Sequence, residues 1–252
     1  MFSVWRPADF TGACVHVRLV WCRSDNQAMT SLVLLAALTT APPQAACKPQ
    51  FAPLTTGTHA GDSSQPFWRR KEAGDWGGDG WLGWTWSSGT LQPVRLIVTD
   101  RPNDDDHDED QVTIESIPDV AFAVRCVPGL RAGRIQPTRV MNDSLDPKRA
   151  LNIALGSRRY ELRLESARTD LFDAQVVLTD GSRTQVLYAA DGFADEPHFD
   201  IQWAGDLDRD GKLDLVVNLN RKYSVHPYRL ILSSKASGSP LVGEAAVFTT
   251  GD

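Results

Sequence analysis

The chain has no hydrophobic run long enough to cross a membrane as a helix. Its longest, Leu32 to Leu38, holds seven residues, against the roughly 18 or more that a span requires. Positive charge is also short. Lys and Arg number 26 against 32 Asp and Glu, for a net charge of −6 and a pI of about 5.4. A surface that binds phosphates needs the opposite balance, which excludes nucleic acid as the main partner. Histidine is scarce, with five in the whole chain, and none falls in a His-Glu-x-x-His zinc pattern. A Gly-x-Ser-x-Gly elbow and a phosphate-cradling glycine loop are missing too, so no catalytic residue is assigned. No internal repeat recurs at a fixed period, which argues against a solenoid or an array of like units. What remains is 252 residues of which 42 % are apolar. That is enough for a substantial core and rules out disorder throughout.

The N-terminal region reads as an address. Residues 30–46, Thr-Ser-Leu-Val-Leu-Leu-Ala-Ala-Leu-Thr-Thr-Ala-Pro-Pro-Gln-Ala-Ala, pair a short apolar stretch with prolines and small residues, the pattern of a secretory signal and its cleavage site. Residues 1–28 show no clear periodicity, and Met29 offers an alternative start that would leave them untranslated. Removing residues 1–46 takes away three Arg and two Asp, so the mature part, 47–252, carries −7. It keeps two cysteines, Cys47 and Cys126. An oxidising compartment permits them to pair. Two other fates stay open: Cys126 as a buried thiol on the strand face of Phe122 and Val124, and Cys47 as the lipidated residue of a lipoprotein.

Residues 47–80 are rich in Pro, Gly, Thr and Ser and read as an extended surface segment. From there to residue 252 the apolar pattern has a period of two. Strands are expected at 94–99, 112–117 and 121–127. The clearest signal is Leu151, Ile153 and Leu155, then Gly156-Ser157, then Tyr160, Leu162 and Leu164, a hairpin about a tight turn. Asp146-Pro147 could instead open a helix, although the strict alternation after Gly156 favours strand. A second hairpin turns at Asp180-Gly181, and strands follow at 199–203, 213–219, 228–232 and 245–248. The expected class is all-β: an antiparallel meander or sandwich-like domain over 81–252.

One stretch carries chemistry. Gly205-Asp-Leu-Asp-Arg-Asp-Gly-Lys-Leu-Asp-Leu-Val-Val217 places carboxylates at Asp206, Asp208, Asp210 and Asp214, which are positions 1, 3, 5 and 9 of a loop. Alternate residues in a tightly curled loop can aim oxygens at one centre. Ca²⁺ takes 6–8 of them, whereas Mg²⁺ demands stricter octahedral geometry. Gly211 gives the turn its backbone freedom, and the Lys212 carbonyl adds an oxygen. A helix-loop-helix calcium hand would close with Glu at position 12, where this chain has Val217. The loop resembles the calcium loop of FG-GAP (integrin-α-like, VCBS-type) repeats, in which Asp-x-Asp-x-Asp-Gly-x-x-Asp joins two strands. The resemblance covers residues 203–219. It implies Ca²⁺ bound by Asp206, Asp208, Asp210, the Lys212 carbonyl and Asp214. It does not imply a propeller, because the loop occurs once.

Weaker signals have plainer explanations. Residues 103–110 hold six acids and His107 without a glycine at a turning position, and read as a solvated acidic loop. Five of the eight tryptophans fall between Trp68 and Trp86. Trp84 and Trp86 share a strand face and would stack on sugar rings if exposed, while core filling is the usual fate of such residues. His198 reads as a strand-edge residue rather than a base. These readings converge on an exported, secreted or periplasmic, calcium-binding β-rich protein acting as a structural or binding module. Its partner would be a cell-surface or carbohydrate ligand. The alternatives are a secreted hydrolase with an unrecognised site and a carbohydrate-binding module built on Trp84 and Trp86.

Overall fold

A computed structural model describes residues 47–54, 67–101, 111–190, 192 and 195–251. The address reading of 1–46 and the acidic loop 103–110 lie outside the described residues. The fold is all-β, with three antiparallel sheets, one of them curled into a half-barrel. Among the described residues, helix is confined to α1 (Arg70–Ala73) and the 3₁₀ turn Ser233–Lys235.

The first sheet comprises β1 (Gln50–Pro53), β2 (Phe67–Arg69), β3 (Gly78–Thr85), β4 (Thr90–Arg101), β5 (Gln111–Glu115), β6 (Val120–Arg125) and β7 (Gly133–Arg134). Its order is β1-β6-β3-β4-β5-β2, with β7 paired to β4. β8 (Gln136–Ser144) then crosses to the third sheet. The second sheet follows as a meander of β9 (Leu151–Leu155), β10 (Arg158–Glu165), β11 (Gln175–Thr179) and β12 (Thr184–Ala189). The third comprises β13 (His198–Asp206), β14 (Asp214–Asn220), β15 (Val225–Leu232) and β16 (Gly243–Gly251), with β8 beside β13.

Both expected hairpins form. Gly156 takes the left-handed backbone between β9 and β10 (φ +57°), which a side chain would strain. Between β11 and β12, Asp180 Oδ1 accepts the Ser182 and Arg183 N–H groups at 2.9 and 2.8 Å, so the aspartate itself templates the turn. Asp146-Pro147 opens a turn rather than a helix: Asp146 Oδ1 accepts the Lys148 N–H, and Asp146 bridges to Arg149.

The strand pairings add two details to this class. Between the consecutive hairpins, β6 leaves its neighbour β5 to pair with β1 and β3. The segment 47–80 does more than lie over the surface. It supplies β1 to the edge of β6 and β2 to the edge of β5, and Cys47 forms a disulfide with Cys126 at a Cα–Cα distance of 5.7 Å. The pairing leaves no thiol on Cys47 for a lipid. Arg125 Nε donates to Gln50 Oε1 at 2.6 Å beside it, and its guanidinium lies 4.5 Å from the Trp81 ring.

The third sheet is the middle layer. Leu215, Val217 and Leu219 of β14 join Ile153, Leu162, Leu164, Val176 and Leu178 in a core against the second sheet. Val216, Leu230, Leu232 and Phe248 join Trp68, Trp81, Trp84 and Phe122 in a core against the first. Every residue of β14 is therefore buried, and the continuous apolar run Leu215 to Val217 matches a strand covered on both faces. Alternation along 199–203 would put Phe199, Ile201 and Trp203 on one face. A bulge between Ile201 and Trp203 breaks that period. Phe199 and Ile201 stay with the second sheet, and Trp203 turns into the core of the first.

Candidate metal centre

The acidic loop joins β13 to β14, two interior strands of the middle sheet, at their ends. β13 delivers Asp206 into the protein and β14 departs with Asp214, so these two carboxylates are buried, at 7 % and 0 % exposure. Asp208 is half-buried, and Asp210, Gly211 and Lys212 are exposed. The curl needs two left-handed residues, Arg209 (φ +66°) and Gly211 (φ +78°). At Arg209 the strain of a side chain in that region is met by an anchor. Its guanidinium donates to the Arg131 carbonyl at 2.7 Å and lies against Gly133.

One oxygen of each loop carboxylate braces the curl. Asp206 Oδ2 accepts the Gly211 N–H at 3.0 Å, Asp208 Oδ1 the Asp210 N–H at 3.2 Å, and Asp210 Oδ1 the Lys212 N–H at 2.8 Å. The remaining oxygens of the first two, Asp206 Oδ1 and Asp208 Oδ2, are buried without a hydrogen-bond partner. Asp210 Oδ2 lies 3.5 Å from Lys212 Nζ. Asp206, Asp208 and Asp210 each offer an oxygen within 4.8 Å of the other two. Asp214 stands outside this triplet. Its Oδ2 accepts the Leu207 and Asp208 N–H groups at 2.7 and 3.2 Å, and its Oδ1 accepts the Ser233 N–H at 2.8 Å.

The electrostatics follow from this crowding. Burial pushes the Asp206 carboxyl above its usual range, and the charges of Asp210 and Asp208 push the same way. Burial pushes Asp214 up to about 7, against the pull of its N–H partners. Three convergent carboxylates, two of them with buried unpaired oxygens, can hold a metal ion. An all-oxygen donor set suits a hard cation rather than a thiolate- or imidazole-seeking one.

Trp84 is 1 % exposed and stacks on Phe122, so core filling accounts for it. Trp86 is half-buried and packs edge-on against Trp84 at a centroid distance of 4.7 Å. His198 opens β13 and is exposed, as expected of a strand edge.

A polar row beside it was not foreseen. The His198 backbone N–H donates to Asn220 Oδ1 at 3.1 Å, Asn220 Nδ2 to Asn218 Oδ1 at 3.3 Å, and Asn218 Nδ2 meets His226 Nδ1 at 3.3 Å. The backbone donor fixes the direction of the whole row and makes His226 Nδ1 an acceptor. The sequence signal was there: Asn218 and Asn220 interrupt an otherwise apolar strand on one face.

The chain matches no protein-family model, no curated protein and no solved structure. Among the described residues, no helix is long and apolar enough to cross a membrane.

Proposed function

We propose that this chain is an exported β-module whose β13–β14 loop binds Ca²⁺, held by Asp206, Asp208, Asp210 and the Lys212 carbonyl, and that the ion stabilises a structural or binding domain. The observation that carries this reading is Asp206. It is 7 % exposed, with Oδ1 buried and unpartnered, in a triplet of convergent carboxylates. An unpaired buried anion is costly, and a cation removes that cost together with the mutual repulsion of the three. Export is supported by the Cys47–Cys126 disulfide, a bond of oxidising compartments, and by the signal-like composition of residues 30–46. Those two features together support a secreted or periplasmic location.

Thermal melting tests the proposal. The folded loop binds and the unfolded chain does not, so stability rises by about 2.7 kcal/mol when free Ca²⁺ is 100 times the Kd. Extracellular modules bind at ~10⁻⁴–10⁻³ M, which places the effect at millimolar Ca²⁺. Asp208→Ala abolishes the calcium-dependent rise and keeps the fold. Identical wild-type melting curves in millimolar Ca²⁺ and in EDTA would refute a calcium site.

A further inference from the structure

We infer that Asp214 is the positioning residue of this loop and not one of its ligands, the inner shell being Asp206, Asp208, Asp210 and the Lys212 carbonyl, completed by water. The inference rests on reading the loop as a cation site and departs from what the FG-GAP resemblance implies for position 9. The carboxylates divide into two kinds. Asp206 and Asp208 each spend one oxygen on a loop N–H and keep the other buried and free. Asp214 spends both: three N–H groups, from Leu207, Asp208 and Ser233, lie within 2.7–3.2 Å of its two oxygens. An ionised carboxylate has about four acceptor directions, and three of them here are already taken by backbone N–H groups.

Its partners show what it positions. Leu207 and Asp208 form the first turn of the curl, and the Asp208 amide held by Asp214 belongs to a residue of the convergent triplet. Ser233 begins the 3₁₀ turn after β15, 19 residues along the chain from Asp214. Asp214 therefore fixes the entry of the loop to the far end of a neighbouring strand. That fixes where the Asp206 and Asp208 carboxylates converge. Outer residues of this kind set the geometry of the ligands they hold.

Terbium luminescence on the full chain separates a ligand from a positioning residue, because lifetimes in H₂O and D₂O count the waters on the ion. Tb³⁺ replaces Ca²⁺ as the probe. Asp208→Ala weakens binding and raises the water count by about one, as expected when a ligand oxygen is lost from an all-oxygen shell. Asp214→Ala weakens binding by about 10–100-fold, the usual effect of removing an outer partner, and leaves the count at its wild-type value. A count that rises for Asp214→Ala as it does for Asp208→Ala overturns the inference. Should Asp214→Ala not fold, crystals of the wild-type chain soaked in Ca²⁺ decide. The ion is expected ~2.3–2.6 Å from oxygens of Asp206, Asp208 and Asp210, with no Asp214 oxygen at that distance; an Asp214 oxygen within it refutes the assignment. Failure of wild-type protein to bind Tb³⁺ or Ca²⁺ at all refutes the cation site itself, a different result from either.

Discussion

The indole of Trp203 folds back over Gly205. A Cβ on that glycine would sit 2.6 Å from the ring's Cη2 and 2.7 Å from the Gln136 carbonyl oxygen. The glycine is there for space, two residues after the bulge that turns Trp203 toward the first sheet and one before the first carboxylate of the loop. Gly205→Ala is expected to cost about 1–3 kcal/mol by overpacking, read as a lower urea midpoint at an unchanged slope. It should also weaken Ca²⁺ binding, since either relief, shifting the ring or shifting β8, moves the strand that delivers Asp206.

Gln185 is a second fixed point. From β12 its side chain accepts the Leu241 and Val242 N–H groups at 2.7 and 3.0 Å and donates to the Val242 carbonyl at 3.0 Å. One amide thus ties the second sheet to the chain entering β16. Gln185→Ala leaves part-buried backbone groups unpaired, each worth ~1–3 kcal/mol. The expected loss is about 2–3 kcal/mol, with faster hydrogen exchange at the Leu241 and Val242 amides in particular.

The disulfide closes a loop between residues 79 apart. Replacing both cysteines by serine should cost roughly 2–5 kcal/mol, mostly through the freedom returned to the unfolded chain. Denaturation with and without reductant checks this: the wild-type protein should lose that stability on reduction, and the double variant should not respond.

His226 supplies a pH test. Burial holds its imidazole below the usual 6.5, the nearby His198 adds to the depression, and Asp200 opposes it. The groups facing it are His198, Asp200, Asn218 and Tyr228. Below 6.5 the unfolded chain takes up a proton at His226 before the folded one does. Its contribution to stability is therefore whole above that pH and declines as pH falls through the folded value. The raised carboxyls Asp206 and Asp214 act with the opposite sign, so the ring should be followed directly. An NMR titration is expected to give His226 a midpoint below that of an unfolded histidine. His226→Gln should flatten the acid limb of the stability curve.

Much of this fold was legible because its signals are local. Gly156-Ser157 and Asp180-Gly181 sit between alternating runs, and a tight turn needs nothing beyond its own residues. The pairings of β6 with β1 and β3 were not legible, since they join segments far apart in sequence and no local pattern selects a partner. The core that Trp203 joins was not legible for a definite reason: alternation alone would place it with Ile201, and a single bulge reverses that. At the loop, the spacing of Asp206, Asp208 and Asp210 foretold the triplet that the fold brings together. The bracing role of Asp214 depends on Ser233, whose amide arrives from another strand and leaves no mark near position 9.

The placement of β14 between two cores governs how the molecule comes apart. Its odd-numbered leucines and valine belong to one core, and Val216 belongs to the other. Opening either outer sheet strips one face of the middle one and exposes apolar surface that no local rearrangement can cover. There is accordingly no seam along which half of the protein could survive alone. Three sheets that look separable on a topology diagram melt as one cooperative unit, in a single calorimetric transition.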